Sequence, residues 1–344
     1  MTQVYLHPAI EDYFVEYDFD AVRRSPADGG PDDLRRRIMQ DYVAEKCILI
    51  RNARIDYDRG FIAGLTFPPT WYFKKFPTRI VEKPKSLARS EGKLQICRDL
   101  FGGDKGLYER FEGEVRAVNT GIRGVLDEIL RHHRVTASDI IWRHTETRVE
   151  NLHFDIDKGS ADFESVRMYL NMDDIPRIWH TSHALARLLA AYYDELGLQA
   201  LAGQPLEALL KVLSTRLFGN WSSRGREQFP RHMVLFEPDD IWLCDGRTVP
   251  HQVIYGRRVA STFYSLDSAA LPAWHPSLAS KVEAVHAARR AGPVPAAADN
   301  DIRGFSFPFG DKGPAPPAGV RASHPKADWD KLYEDSIQPK LVRL

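Results

Sequence analysis

From residue 34 the apolar positions fall three and four apart. Leu34, Ile38, Tyr42 and Val43 in LRRRIMQDYVAEK share one helical face behind the start signal Pro31-Asp32-Asp33, which predicts a helix over 34–46. CILIRNARI follows, a short β-branched run that reads as a buried strand. Between about 50 and 100 no period survives. The densest part, TFPPTWYFKKFP, predicts irregular structure, with Trp71, Tyr72 and Phe73 as lid or packing residues. Leu107, Phe111, Val115, Val118, Ile122, Val125 and Ile129 then mark a long amphipathic helix within 104–133.

After that helix the period shortens. DIIWRHTETRVENLHFDID alternates in patches, and ESVRMYLNM is a second β-type run. Residues 183–217 turn helical again, in HALARLLAAYYDEL and PLEALLKVLSTRLF. RHMVLFEPDDIWLCDG, PHQVIYG and RRVASTFYSL close the ordered pattern as strand-like runs separated by turn signals. From about 268 the chain is rich in Ala and Pro without apolar periodicity, which predicts a loose or surface-wrapped tail. The expected organisation is one structural domain without internal repeats. An N-terminal helical and mixed region (1–134) packs on a mainly β core (135–267), which carries a helical insertion at about 177–230, and a tail (268–344) follows.

Composition narrows the function classes. The 344 residues include 43% hydrophobic and 27% charged, an ordinary globular profile able to bury a large core. Forty-seven basic residues balance 47 acidic ones, and a protein that tracks a phosphate backbone carries a basic excess, so nucleic acid is not an expected partner. The run LRRRI reads as a solvated helix face. Three cysteines (Cys47, Cys97, Cys244) without metal-type spacing favour a reducing compartment. The first twenty residues are acidic and aromatic, unlike a secretory signal, and no apolar run is long enough to span a bilayer. A cytoplasmic location is the expectation.

The candidate chemistry centres on NLHFDIDKG. In a strand, His153 and Asp155 point to one face while Phe154 packs on the other. Imidazole and carboxylate suit a divalent transition metal and leave most of its coordination sphere open. His251, in DGRTVPHQVIYGRR, is the best third ligand, and two histidines with one carboxylate form the facial triad of non-haem Fe(II) oxygenases. Such iron commonly takes two electrons from a 2-oxo acid, whose far carboxylate requires a fixed cation. Arg258 suits it through its planar fork, and strand phase would put Ala260 and Thr262 beside it. His144-Thr145-Glu146 is a rival pair with the less usual carboxylate. His132-His133 reads as a favourable cation at a helix C-terminus, and His180 and His183 read as structural.

LHFD…MYLNMDD…FEPDDIWLCDGRTVPHQV…GRRVASTFY resembles the Fe(II)/2-oxoglutarate-dependent dioxygenases, with spacing most similar to the prolyl-hydroxylase-like branch. The match spans about 150–265. Pro238-Asp239-Asp240 departs from the usual Pro-Gly-Asp, and Arg257 beside Arg258 leaves the anchoring arginine open. The resemblance implies a double-stranded β-helix (jelly roll) core with N-terminal helices. It also implies His153, Asp155 and His251 as iron ligands, and Arg258 anchoring 2-oxoglutarate with help from Tyr169, in YLN 14 residues after Asp155, and from Thr262. Fe(II), 2-oxoglutarate and O2 are the expected cofactor and co-substrates. Asp155 itself argues for oxygen transfer over halogenation, since halogenating relatives carry a small residue there. Charge and size favour a small-molecule substrate, amino-acid-like or a secondary metabolite. Desaturation or cyclisation by the same residues is an alternative, as is a cupin-like binding protein without turnover.

Overall fold

Two mainly antiparallel sheets face each other across a layer of aromatic side chains. The computed structural model describes residues 2–66, 76–78, 87–144, 147–148, 152–156, 164–218 and 229–292. The strands are β1 (Gln3–Tyr5), β2 (Phe14–Asp18), β3 (Cys47–Arg51), β4 (Phe76–Pro77), β5 (Val135–Arg143), β6 (Thr147–Arg148) and β7 (Glu164–Val166). They continue with β8 (Met168–Asn171), β9 (Arg177–Thr181), β10 (His232–Phe236), β11 (Ile241–Leu243), β12 (His251–Gly256) and β13 (Val259–Leu266). The α-helices are α1 (Phe19–Arg24), α2 (Leu34–Val43), α3 (Arg59–Gly64), α4 (Leu87–Phe101), α5 (Lys105–Ile129), α6 (Leu185–Tyr192), α7 (Leu206–Leu213) and α8 (Leu278–Ala291).

The larger sheet runs β2-β3-β11-β8-β13-β5-β4, with β7 also paired to β13, and the smaller runs β1-β10-β9-β12-β6. From β5 to β13 the chain passes back and forth between the two sheets, the winding of a double-stranded β-helix. The N-terminal region is more than a packing layer, because β1 extends the small sheet and β2 and β3 extend the large one.

Period-two alternation divides the side chains of the large sheet. Tyr169, Trp242 and Leu49 align across β8, β11 and β3 and turn inward. There they meet Trp179, Val234, Phe236 and Val253 of the small sheet. Phe236 stacks on Trp242 at 3.8 Å between ring centroids. The other face carries Ile48, Ile50, Met168, Leu170, Trp142 and Ala260, which bury against the apolar stripe of α5. That stripe matches the sequence expectation from Phe111 to Ile129. One polar residue sits within it. Asn119 donates to Thr78 Oγ1 at 2.8 Å and accepts from Trp142 Nε1 at 3.1 Å, tying α5 to β5.

Three expectations change. Residues 50–100 contain α3 and α4, although the sequence lacks their periodicity. Packing of Ile96 and the Lys93–Glu112 pair (3.0 Å) on α5 holds α4 in place. Trp71, Tyr72 and Phe73 lie outside the described residues. The segment expected to open the helical insertion is β9, a central strand of the small sheet. Of the expected tail, Leu278–Ala291 form α8, because Leu278 and Val282 bury one turn apart against the cluster of α6 and α7, and residues 293–344 lie outside the described residues. Among the described residues no helix is long and apolar enough to cross a membrane.

Two stability predictions follow from this packing. Asn119→Leu strands the Trp142 N–H and should cost about 2–3 kcal/mol in urea denaturation; an unchanged midpoint would contradict the role. Burial, aided by Arg231, depresses His180 to about 3. Burial likewise depresses His183 and His275 to about 4, helped by Arg187 and Lys281 respectively. Below about pH 6.5 the unfolded chain takes up protons that the folded one refuses, so stability is full above that pH and falls toward pH 4. Urea midpoints at pH 7, 6 and 5 should decline in that order; a flat series would contradict it.

Candidate metal centre

His153 and His251 exchange both backbone hydrogen bonds, His153 N to His251 O at 3.1 Å and His251 N to His153 O at 3.0 Å. This isolated antiparallel bridge sets the two side chains on one side, with ring centroids 4.7 Å apart. Two residues on, the Asp155 N–H donates to the Gly246 carbonyl at 2.7 Å. The His153-Phe154-Asp155 segment is thereby pinned at both ends by the turn that leads into β12. Between the pins Phe154 faces away and packs on Phe218, 5.7 Å centroid to centroid, among residues of α6 and α7.

Asp155 Oδ1 stands 4.0 Å from His153 Nε2, and Asp155 Oδ2 stands 3.9 Å from His251 Nε2. One donor atom from each of the three residues lies within 4.8 Å of the others, the group among the described residues able to hold a metal ion. Two observations show that the residues fit such an ion. A Cβ on Gly246 would fall 2.2 Å from Asp155 Oδ2 and 2.8 Å from His251 Cε1, so this position admits glycine alone against the cluster. His251 Nδ1 lies 3.3 Å from the Val249 carbonyl, which can only accept. That nitrogen carries the proton, and Nε2 keeps its lone pair for a ligand bond. Trp179 stacks on the His251 ring (4.9 Å, 21° between planes) and fixes its plane.

Burial alone would raise the Asp155 pKa. The charges of Arg167, His251, His153 and Arg143 outweigh it and hold the carboxyl well below the usual range, so Asp155 is an anion. Arg167 Nη1 donates to Asp155 Oδ2, and its guanidinium lies 4.5 Å from the centroid of the Phe263 ring. Tyr169, two residues on and on the same face of β8, stacks on Trp242 at 5.2 Å. Burial and the Asp155 charge push its phenol pKa up, leaving a neutral O–H.

The structure thus brings together His153, Asp155, His251 and Tyr169. Thr262 is not with them, which corrects the expectation. The face shared by Ala260 and Thr262 is the helix-packed one, and Thr262 Oγ1 accepts from the Met168 N–H at 2.9 Å. Arg258 is not brought to the cluster either; its guanidinium donates to the carbonyls of His144 and Leu65. Arg257 is bound to Asp173 (2.8 and 2.5 Å) and Asp174 (2.7 Å). His144 packs on Trp142, 5.6 Å between centroids, and burial with the Arg258 charge keeps it neutral; Glu146 lies outside the described residues. His133 is also neutral rather than cationic, depressed to about 3 by burial and by His275, whose Nδ1 lies 2.9 Å from it. Sequence reasoning missed Gly246, Arg167 and Arg143. Period-two phase from Tyr169 pointed to Arg167, alternation set Arg143 on the face opposite His144 in a strand expected to line the cavity, and nothing local marked Gly246.

No protein-family model and no curated protein matches the chain. Solved structures do. A Kdo hydroxylase, KdoO, described as a non-haem Fe(II) alpha-ketoglutarate-dependent dioxygenase and bound to succinate and Fe(III), superposes with a TM-score of 0.54. The two share 12% identity, and the match covers 79% of this chain and 95% of that one. The same hydroxylase with alpha-ketoglutarate and Fe(III) gives the same figures. Its cobalt(II) complex gives a TM-score of 0.51 at 12% identity, over 83% of this chain and 99% of that one. The chain shares the fold of that hydroxylase.

Gly246→Ala should weaken Co(II) or Mn(II) binding by about tenfold or more, on the scale of lost support around metal ligands. Calorimetric titration checks this, and unchanged affinity would show that Gly246 does not shape the cluster.

Proposed function

We propose that this chain is an Fe(II)- and 2-oxoglutarate-dependent oxygenase that hydroxylates a small molecule with release of succinate and CO2. The carrying observation is the convergence of His153, Asp155 and His251 at the backbone bridge, on a fold shared with such hydroxylases. Iron bound there would supply activation of O2 coupled to decarboxylation of the oxo acid. The chain's own contribution is to bind and orient. The two imidazoles and the Asp155 carboxylate would hold the ion by three bonds and leave its other positions to co-substrate and O2.

The far carboxylate of the oxo acid is assigned to Arg143 with the Tyr169 O–H, in place of Arg258 and Thr262. The Arg143 charge is felt by both Asp155 and Tyr169, whereas Arg258 serves two carbonyls at the edge of the helix-packed core. Aromatic walls from Trp179 and Trp242 limit water and strengthen each of these interactions. Arg167 stays with Asp155 and Arg143 with the oxo acid, so the prime substrate is a small metabolite, amino-acid-like or secondary, met by the other walls of the site. The solved neighbours are Kdo hydroxylases. Desaturation or ring closure would use the same residues.

Succinate release from 2-oxoglutarate, screened across amino acids and other small metabolites, tests the reading. Asp155→Ala should abolish it. Arg143→Ala should raise the KM for 2-oxoglutarate about tenfold, the loss of a charge-assisted pair, while Arg258→Ala should change it less. Full succinate formation by Asp155→Ala would overturn the metal assignment, and the reverse order of the two arginines would return the anchor to Arg258.

A further inference from the structure

Two cysteines stand opposite each other inside the barrel, one layer behind the metal ligands. β3 and β11 pair Leu49 with Trp242 and Ile48 with Leu243. One step further, the same register sets Cys47 opposite Cys244. Both are buried, at 0% and 1% exposure, in the same apolar cluster between the sheets. Opposed antiparallel residues have Cα atoms about 4.5–5.5 Å apart, within the roughly 4.4–6.8 Å that a disulfide spans. Both are free thiols.

The pair is linked to the site by short covalent and hydrogen-bonded paths. The Cys244 N–H donates to the Arg167 carbonyl at 3.3 Å, and the Arg167 guanidinium holds Asp155. Gly246, packed on Asp155 and His251, follows two residues after Cys244. The Asp155 charge is felt at the Cys244 sulfur, whose pKa is raised well above the ordinary thiol value by the Cys47 contact and by burial. A buried, protonated thiol reacts slowly with oxidants in solvent. An oxidant made inside the barrel meets no such barrier.

We propose that Cys47 and Cys244 form an internal reductant for the metal centre, oxidised to a disulfide when 2-oxoglutarate and O2 are consumed without prime substrate. This rests on the oxygenase reading above. The oxo acid loses CO2 and takes one oxygen atom to become succinate. The two S–H bonds break, an S–S bond forms, and two electrons and two protons pass to the second oxygen atom, giving water. The stoichiometry is one 2-oxoglutarate, one O2 and one dithiol to one succinate, one CO2, one disulfide and one water. Two oxidising equivalents that would otherwise damage ligand side chains end in a reducible bond.

Full-length Fe(II) protein would be mixed with 2-oxoglutarate and O2 without substrate, then analysed by thiol counting and non-reducing peptide mapping. Two of the three thiols should disappear, with a peptide linked through Cys47 and Cys244. Partly exposed Cys97 should stay free. Hydrogen peroxide added to metal-free protein should reverse that order and modify Cys97 first. Succinate formed with Cys47 and Cys244 still free would overturn the inference and leave the oxygenase reading intact. Absence of both succinate and linkage would overturn the reading and the inference together. Linkage at equal rate in Asp155→Ala would show that the oxidant is not made at the metal, and would also overturn it.

Discussion

The two backbone hydrogen bonds exchanged by His153 and His251 organise this molecule. They join residues 98 apart in sequence, and they do so at main-chain atoms, so the side chains are free for chemistry. Because the pair is a mutual exchange, the two imidazoles must rise on the same side. Because Asp155 follows at the next like-facing position and donates to Gly246, its carboxylate must turn to the same point. Phe154 is forced the other way, into the apolar cluster of α6 and α7, and so anchors the ligand segment to the helical insertion.

Charge is the second constraint. A carboxylate withdrawn from most of its water is costly unless it is paired. Arg167 supplies that pair, and its own guanidinium is backed by the Phe263 ring. The Asp155–Arg167 pair therefore keeps the ligand ionised and oriented, which Cα geometry alone could not do. Arg257 is withdrawn from this chemistry by Asp173 and Asp174, so the two adjacent arginines at the head of β13 serve different parts of the fold.

Much of this was legible in the sequence where local period and local chemistry agree. α2, α5, β3 and the strands of the closing third declare themselves by spacing, and the clustering of His153, Asp155 and His251 follows from the phase of the first two plus a distant histidine. The misses have physical causes. The helix α4 owes its place to packing on α5 rather than to its own stripe. β9 is buried on both faces, so its Arg-Ile-Trp-His-Thr run lacks the alternation of a half-buried strand. Strand phase grouped Ala260 and Thr262 correctly but could not say which face of β13 looked into the barrel. That depends on register against β8, where Ser261 and not Thr262 stands opposite Tyr169. Gly246 is decided entirely by a contact across the fold.

The fold and the clustered ligands converge on one claim, that His153, Asp155 and His251 bind Fe(II) while leaving adjacent positions for a bidentate oxo acid. Anaerobic titration of the Fe(II) protein with 2-oxoglutarate, followed by visible absorption, tests it most directly. The account predicts a metal-to-ligand charge-transfer band that saturates at one equivalent per chain and is lost in His251→Ala. A wild-type protein that binds Fe(II) but develops no band at any 2-oxoglutarate concentration would contradict it.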